Sequence, residues 1–123
     1  RRDRVPEGMK QLIKDVEKRS EAFDDSFILY VALDYGAHEE LLHAIKHYDI
    51  KDIETLKQSL MIPFDIDLLI RTGGEVRLSN FMLLQSAYAE LYFTKTPWPA
   101  FKPRALRKAL KVYRKRNRKF GGL

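Results

Sequence analysis

A short apolar run that ends in arginine and glycine most constrains what this chain can fold into. Residues 68–70 (Leu-Leu-Ile) lead directly into residues 71–74 (Arg-Thr-Gly-Gly), then into Arg77 and Ser79. The apolar run predicts a buried strand, the glycine pair predicts a tight loop, and serine is a preferred residue at a helix N-cap. Helical periodicity follows over residues 80–89. The stretch therefore predicts strand, loop and helix in that order, which is typical of α/β proteins.

The chemistry of this loop favours a phosphate or diphosphate site. In open α/β sheets ligands bind beyond the carboxyl ends of the strands, glycines allow close approach, and helix N-termini attract anions. Arg71 and Arg77 add planar guanidinium groups, which match phosphate oxygens. A plain turn remains an open alternative, because a Gly-Gly pair often marks only a turn. The spacing also matches neither a P-loop nor a dinucleotide-binding motif.

The remaining pattern predicts an α/β fold with a mostly parallel sheet flanked by helices. Residues 27–33 form an uninterrupted apolar run that is typical of a strand buried on both faces. A third strand is predicted over residues 91–94, and a helix beginning at Pro103. Further helices are predicted over residues 7–22, 39–48 and 52–60. We interpret residues 1–123 as one partial domain whose sheet is completed elsewhere.

Composition limits the class of protein. A chain of 123 residues has room for one domain, and it contains no cysteine for disulfides or thiolate metal sites. No apolar run approaches the roughly 20 residues of a membrane-spanning helix. There is also no signal-peptide pattern at the start. These features favour a cytoplasmic protein.

The positive charge is concentrated in one segment. Residues 102–119 contain ten Lys or Arg and no acidic residue, which leaves 13 basic and 17 acidic residues elsewhere. Such a run attracts nucleic acid or an anionic membrane surface. Leu106 and Leu110 indicate that one face of this helix packs inward, and no aromatic stacking platform is present. We therefore expect no nucleic-acid partner and favour attraction to a lipid that carries phosphate groups or to a membrane surface.

Three other side chains leave alternatives open. Asp34 follows the apolar run, where it could be a functional carboxylate or a loop cap. His43 and His47 are four residues apart and could share a helix face. Because no third ligand is apparent, ordinary histidines are favoured over a metal site.

Four segments resemble the carboxyl-terminal signature of the cis-prenyltransferases, the undecaprenyl diphosphate synthase family: RTGGE (71–75), RLSNF (77–81), AYAELYF (87–93) and WP (98–99). The resemblance extends to residues 118–122 and, more loosely, back to residues 4–7 and 31–36. Members of that family are considerably longer, and their amino-terminal half carries an Asp-Gly-Asn motif that this chain lacks. We therefore expect the chain to be the carboxyl-terminal portion of such a protein. Its catalytic residues are expected in the missing amino-terminal part.

The resemblance implies condensation of isopentenyl diphosphate with an allylic diphosphate, in the presence of Mg²⁺, to give a polyprenyl diphosphate for lipid-carrier synthesis. Matching positions imply that four residues hold the diphosphate of isopentenyl diphosphate: Arg71, Arg77, Leu78 and Ser79. Glu90 occupies the metal-ligand position of the family, and an oxygen ligand is what Mg²⁺ requires. The alternative for Glu90 is a helix-end glutamate paired with a lysine.

Other positions have supporting roles or depart from the family pattern. Glu75 is expected to orient the arginine loop. Lys119 and Gly121 occupy the terminal Arg-x-Gly motif, where lysine keeps the charge but loses the bidentate fork. The resemblance implies that this motif reaches the substrate across a dimer interface, so a homodimer is expected. Association of the protein with a membrane surface is a further expectation. The alternative is a non-catalytic subunit of a heteromeric cis-prenyltransferase. In either case we expect the 123-residue chain alone to be inactive.

Overall fold

The computed structural model describes residues 4–23 and 26–116. The chain divides into two compact units, one ending at Tyr35 and the other beginning at Gly36. The predicted α/β class is confirmed, because helices accompany a parallel sheet.

The first unit contains helix α1, Glu7–Ser20. The predicted helix over residues 7–22 is confirmed, with its end two residues earlier. Glu7 lies in the first turn, and Lys18 and Arg19 lie in the last. These charges oppose the partial charges at the two ends of the helix and so stabilise it. None of the residues of α1 is buried.

The predicted strand over residues 27–33 is wrong. Residues 26–36 form no helix or strand, and their apolar side chains are exposed: Phe27 is 83% and Leu29 is 75% exposed. A strand needs a neighbour to satisfy its backbone N–H and C=O groups. A strand of a parallel sheet also needs both faces covered. Among the described residues no strand pairs with this segment, so the apolar run stays irregular.

The second unit contains three α-helices: α2 (Ala37–His47), α3 (Ile53–Gln58) and α4 (Pro103–Tyr113). All three were predicted. The short α3 begins at a capping box. The Asp52 carboxylate accepts the Thr55 backbone N–H at 2.8 Å, while the Thr55 hydroxyl accepts the Asp52 N–H at 3.0 Å. The hydrogen bond from the Thr55 backbone lowers the pKa of Asp52. A short helix of this kind depends on such a cap.

The sheet has two parallel strands, β1 (Leu68–Arg71) and β2 (Glu90–Phe93), with Leu68 opposite Glu90 and Arg71 opposite Phe93. Both strands were predicted, and both are confirmed. Three strands were predicted in all, and the described sheet has two because residues 27–33 are irregular. The buried apolar residues of this unit are small or unbranched at Cβ for the most part: Ala37, Ala44, Leu60, Leu69, Met82 and Ala109.

The predicted helix over residues 80–89 is wrong. These residues form successive turns instead. The backbone φ angles of Ser79, Asn80 and Met82 are 50°, 61° and 45°, in the left-handed region that a right-handed helix cannot include. Asn80 is held in this conformation by α2. Its carbonyl accepts the Ala37 N–H at 2.8 Å, and its side-chain oxygen accepts the His38 N–H at 3.0 Å. Asn80 therefore caps a distant helix rather than opening its own.

Candidate anion-binding site

The loop after β1 lies where both strands end. Because β1 and β2 are parallel, Arg71 and Phe93 lie at the same edge of the sheet. The Gly73 N–H donates to the Thr96 carbonyl and the Gly74 N–H to the Thr94 carbonyl, both at 2.9 Å. The φ angles of these glycines are 89° and 88°, which L side chains rarely adopt. Both amides already donate to backbone carbonyls, so these two N–H groups are not free to bind an anion at this loop.

Arg71 and Ser79 are brought together. Nη1 of Arg71 donates to the Ser79 hydroxyl oxygen at 3.0 Å, and the same nitrogen donates to the backbone carbonyl of Arg77. Arg71 is half-buried, whereas Ser79 is exposed. The loop is thereby folded back so that a guanidinium and a hydroxyl, two groups that can donate to a phosphate oxygen, are neighbours.

The guanidinium of Arg77 is held by Glu75. The Arg77 Nη1 and the Glu75 Oε2 are 2.5 Å apart, and the two side chains are 62% and 49% exposed. Leu78 is half-buried, and its carbonyl accepts the Phe81 N–H at 3.2 Å. The described contacts thus join Arg71 to Ser79 and Arg77 to Glu75, and they link Arg71 to Arg77 only through the Arg77 backbone.

The charge at this loop resides on side chains alone. Residues 80–89 form turns, so the helix that was predicted to begin after Ser79 supplies no N–H groups for anion binding here. The part of the sequence-based argument that depended on a helix N-terminus is therefore wrong. The prediction that a guanidinium group lies at the carboxyl end of a strand agrees with the structure, since Arg71 is the last residue of β1.

Glu90 begins β2 and contacts a residue that sequence reasoning missed. Its Oε2 lies 2.6 Å from Nη1 of Arg116, which also donates to the Leu91 carbonyl at 3.1 Å. The partner is an arginine, not the lysine considered from sequence. Arg116 is 26 residues away from Glu90 in sequence and lies beyond the end of α4. The only sequence signal for Arg116 is that it belongs to the basic run over residues 102–119.

Glu90 is a carboxylate, the ligand type that Mg²⁺ prefers, but few other possible ligand side chains lie near it. Within residues 4–23 and 26–116 there is no group of three or more His, Cys, Asp or Glu side chains placed to hold a metal ion. A metal site that included Glu90 would therefore need its other ligands from outside the described residues.

The other titratable candidates have ordinary contacts. His43 and His47 stack with ring centroids 4.2 Å apart, and a ring nitrogen of His47 lies 2.8 Å from the His43 carbonyl. Asp34 forms an ion pair with Arg4 at 3.1 Å, within the first unit. Lys119 and Gly121 lie outside the described residues.

No helix in the part of the chain that is described is long and apolar enough to cross a membrane.

Parallel strands with an arginine-containing loop beyond their carboxyl ends are typical of α/β proteins that bind phosphorylated ligands. Residues 1–121 match the family described as "Putative undecaprenyl diphosphate synthase". An isoprenyl transferase of Thermotoga maritima is 42% identical, and the match covers 100% of this chain and 57% of that protein. The chain therefore belongs to the undecaprenyl diphosphate synthase family of prenyltransferases.

Two solved structures share the fold. A probable undecaprenyl diphosphate synthase from Campylobacter jejuni is 34% identical with a TM-score of 0.85, over 98% of this chain and 59% of that one. Lavandulyl diphosphate synthase from Lavandula x intermedia, in complex with dimethylallyl diphosphate, is 35% identical with a TM-score of 0.88, over 98% and 57%. The chain thus spans little more than half the length of these relatives.

Proposed function

We propose that a protein containing these residues condenses isopentenyl diphosphate with an allylic diphosphate to give a polyprenyl diphosphate with cis double bonds. The proposal rests on the juxtaposition of Arg71 and Ser79 at the carboxyl edge of the sheet, in a chain that belongs to this family. The bound dimethylallyl diphosphate of the lavandulyl diphosphate synthase supports diphosphates as the class of substrate.

In this proposal the loop binds isopentenyl diphosphate. Arg71 and Ser79 donate hydrogen bonds to one end of the diphosphate, and Arg77 donates from the exposed side of the loop. Bonds from guanidinium to phosphate are charge-assisted and therefore short and strong. Leu78 joins Arg77 to Ser79 in the same loop, and Glu75 limits the directions in which Arg77 can reach. The role of these residues is binding and orientation.

Glu90 is proposed as one ligand of Mg²⁺, with the diphosphate and residues outside this chain completing the set. When bound, the ion neutralises the charge that develops on the leaving diphosphate. In this structure the Glu90 carboxylate is held by Arg116, so binding of a metal there requires that Arg116 release or share it.

We further propose a homodimer that works in the cytoplasm, peripheral to a membrane. The exposed apolar side chains of α2, among them Leu42 (55%) and Ile45 (60%), are suited to contact with another protein surface. The excess of basic residues on α4 is suited to an anionic lipid surface. Nucleic acid is not proposed as a partner.

The experiment that tests the main proposal is substitution of Arg71 in the longest natural protein that contains these residues. Arg71→Ala is expected to weaken the use of isopentenyl diphosphate at least about tenfold, since a lost charged hydrogen bond costs roughly 1.4 kcal/mol or more. Arg71→Lys keeps the charge and should lose less. Arg19→Ala, on the exposed face of α1, is the control. Kinetics unchanged by Arg71→Ala would remove this residue from the site.

The 123-residue chain is expected to show no turnover when supplied with both diphosphates and magnesium. The reason is that the family's Asp-Gly-Asn motif does not occur in it. Measurement of radiolabelled isopentenyl diphosphate in an extractable product decides this. Sustained product formation by the 123-residue chain would contradict the proposed division of the active site.

A further inference from the structure

A broad depression lies between the segment Thr96–Ala100 and helix α4. Its volume is about 620 Å³, within the range of roughly 300–1,000 Å³ that small-molecule sites occupy. Five of its lining residues are cationic: Lys102, Arg104, Arg107, Lys108 and Lys111. This basic groove contains none of the residues of the Arg71 loop.

Within residues 4–23 and 26–116, no carboxylate neutralises the charge of the basic groove. The lining residues include no Asp or Glu, and among the described residues none of the five cations forms an ion pair with a carboxylate. Several like charges around one concave surface produce a strong positive potential and raise the local concentration of anions. The cationic side chains of the groove repel one another, and a bound anion would reduce this repulsion.

We propose that the basic groove is a second phosphate-binding site, separate from the Arg71 loop, which takes a diphosphate or the phosphate of a lipid headgroup. The concave surface itself is mostly carbon, so a phosphate is bound when the flexible side chains turn their charged ends toward it: the two arginines offer planar forks, and the three lysines add point charges. The depression is open, so that a phosphate carried on a larger molecule can enter while the rest stays outside. Nucleic acid fits less well, because no aromatic side chain lines the groove for base stacking.

The proposal does not depend on the prenyltransferase reaction. Its observations are a concave surface, its cations and their lack of carboxylate partners, all within the second unit. It can therefore fail while the function proposed for the Arg71 loop stands, and the reverse also holds.

The test is a titration of the 123-residue chain with inorganic pyrophosphate, followed by backbone NMR. We expect saturable shifts of amides over residues 100–111, distinct from any shifts over residues 71–79, which would report the Arg71 loop. The triple variant Arg107→Gln, Lys108→Gln, Lys111→Gln should weaken binding at residues 100–111 at least tenfold. Glutamine preserves helix propensity, so α4 should persist, and circular dichroism checks this.

The matched control removes the same charge from α1 through Lys14→Gln, Lys18→Gln and Arg19→Gln. It should change pyrophosphate binding at the groove less than twofold. Equal weakening by both triple variants would show that net charge alone attracts the anion, and this would overturn the proposal. Absence of saturable shifts over residues 100–111 would overturn it as well.

Vesicles separate the two sources of phosphate. Sedimentation with phosphatidylcholine vesicles containing phosphatidylglycerol, lost in the groove triple variant and reversed by pyrophosphate, identifies a lipid headgroup as the occupant. Pyrophosphate binding with no sedimentation identifies a free diphosphate. Binding of duplex DNA that pyrophosphate cannot displace, with loss in the same triple variant, would instead make the groove a nucleic-acid surface and refute the proposal.

Discussion

The ion pair between Glu90 and Arg116 makes a quantitative test of how α4 is attached to the sheet. The perturbation is a double-mutant cycle with Glu90→Gln, Arg116→Gln and the double variant. The structure gives one short contact at 2.6 Å between the two charged groups and a second bond from Arg116 to the Leu91 carbonyl at 3.1 Å. The cycle isolates the first of these from the second.

The expected coupling energy between Glu90 and Arg116 depends on how exposed the two side chains are. Glu90 is 21% and Arg116 is 42% exposed, so solvent screens the pair more than it would a buried one. We expect a coupling of about 0.5–1 kcal/mol at low salt, at the upper end of the range for exposed pairs. Arg116→Gln should cost roughly 1 kcal/mol more than Glu90→Gln if glutamine fails to reach the Leu91 carbonyl.

Unfolding by urea is followed through the fluorescence of Trp98, the single tryptophan, which lies five residues before the first residue of α4. The control cycle uses Asp49 and Lys51, which are 80% and 73% exposed and should couple weakly. Raising salt from about 50 mM to 1 M shortens the Debye length to roughly 3 Å and should reduce the Glu90–Arg116 coupling. A coupling at low salt no larger than that of the control pair would refute this reasoning.

Three further predictions concern stability. Gly74→Ala should lower the free energy of unfolding by about 1–2 kcal/mol, because the φ angle of 88° disfavours an L side chain. Gly8→Ala, inside α1 with open space around it, should raise that free energy by roughly 0.5–1 kcal/mol. Both are measured by urea unfolding. A free energy of unfolding unchanged by Gly74→Ala would contradict the strain at Gly74, and one lowered by Gly8→Ala would contradict the prediction for α1. Asp52→Ala should destabilise the chain at neutral pH, because the cap of α3 is lost. Since the Thr55 N–H lowers the pKa of Asp52 below its ordinary 3.8, the ionised cap stabilises the fold above that pH and its contribution disappears as pH falls below it. Unfolding curves for the two proteins should converge in acid, and a pH-independent difference would be contrary to this account.

Elements set by short-range chemistry could be predicted from the sequence. Helix α3 follows from Asp52 and Thr55, which complete a capping box within three residues. Pro103 marks the start of α4, where its fixed φ suits a first helical turn. In the same way the apolar runs that end at Arg71 and Phe93 were sufficient for β1 and β2. Such features need no knowledge of the distant chain.

The errors arose where distant residues decide the conformation. The run 27–33 has the composition of a buried strand, but a strand exists only when a neighbour pairs with it, and composition cannot supply one. Residues 80–89 have helical periodicity. However, Asn80 is bound to the N-terminal end of α2, 42 residues away in sequence, in a conformation that prevents helix formation at that point.

The candidate site divides in the same way. The contact between Arg71 and Ser79 lies within one loop, and the sequence suggested that these side chains act together. The contact between Glu90 and Arg116 joins a strand to the residues after α4, and no local pattern indicates it. Glu75 was expected to orient the arginine loop, and its proximity to Arg77 is consistent with that role, which remains a prediction.

The most direct test of the central claim is whether isopentenyl diphosphate binds at the loop that begins with Arg71. The measurement is an NMR titration of the 123-residue chain with this compound, with Arg71→Ala as the variant and the groove triple variant as the control. We expect saturable shifts of amides over residues 71–79 that Arg71→Ala abolishes and the groove variant preserves. Shifts confined to residues 100–111, or shifts over residues 71–79 that survive Arg71→Ala unchanged, would contradict it.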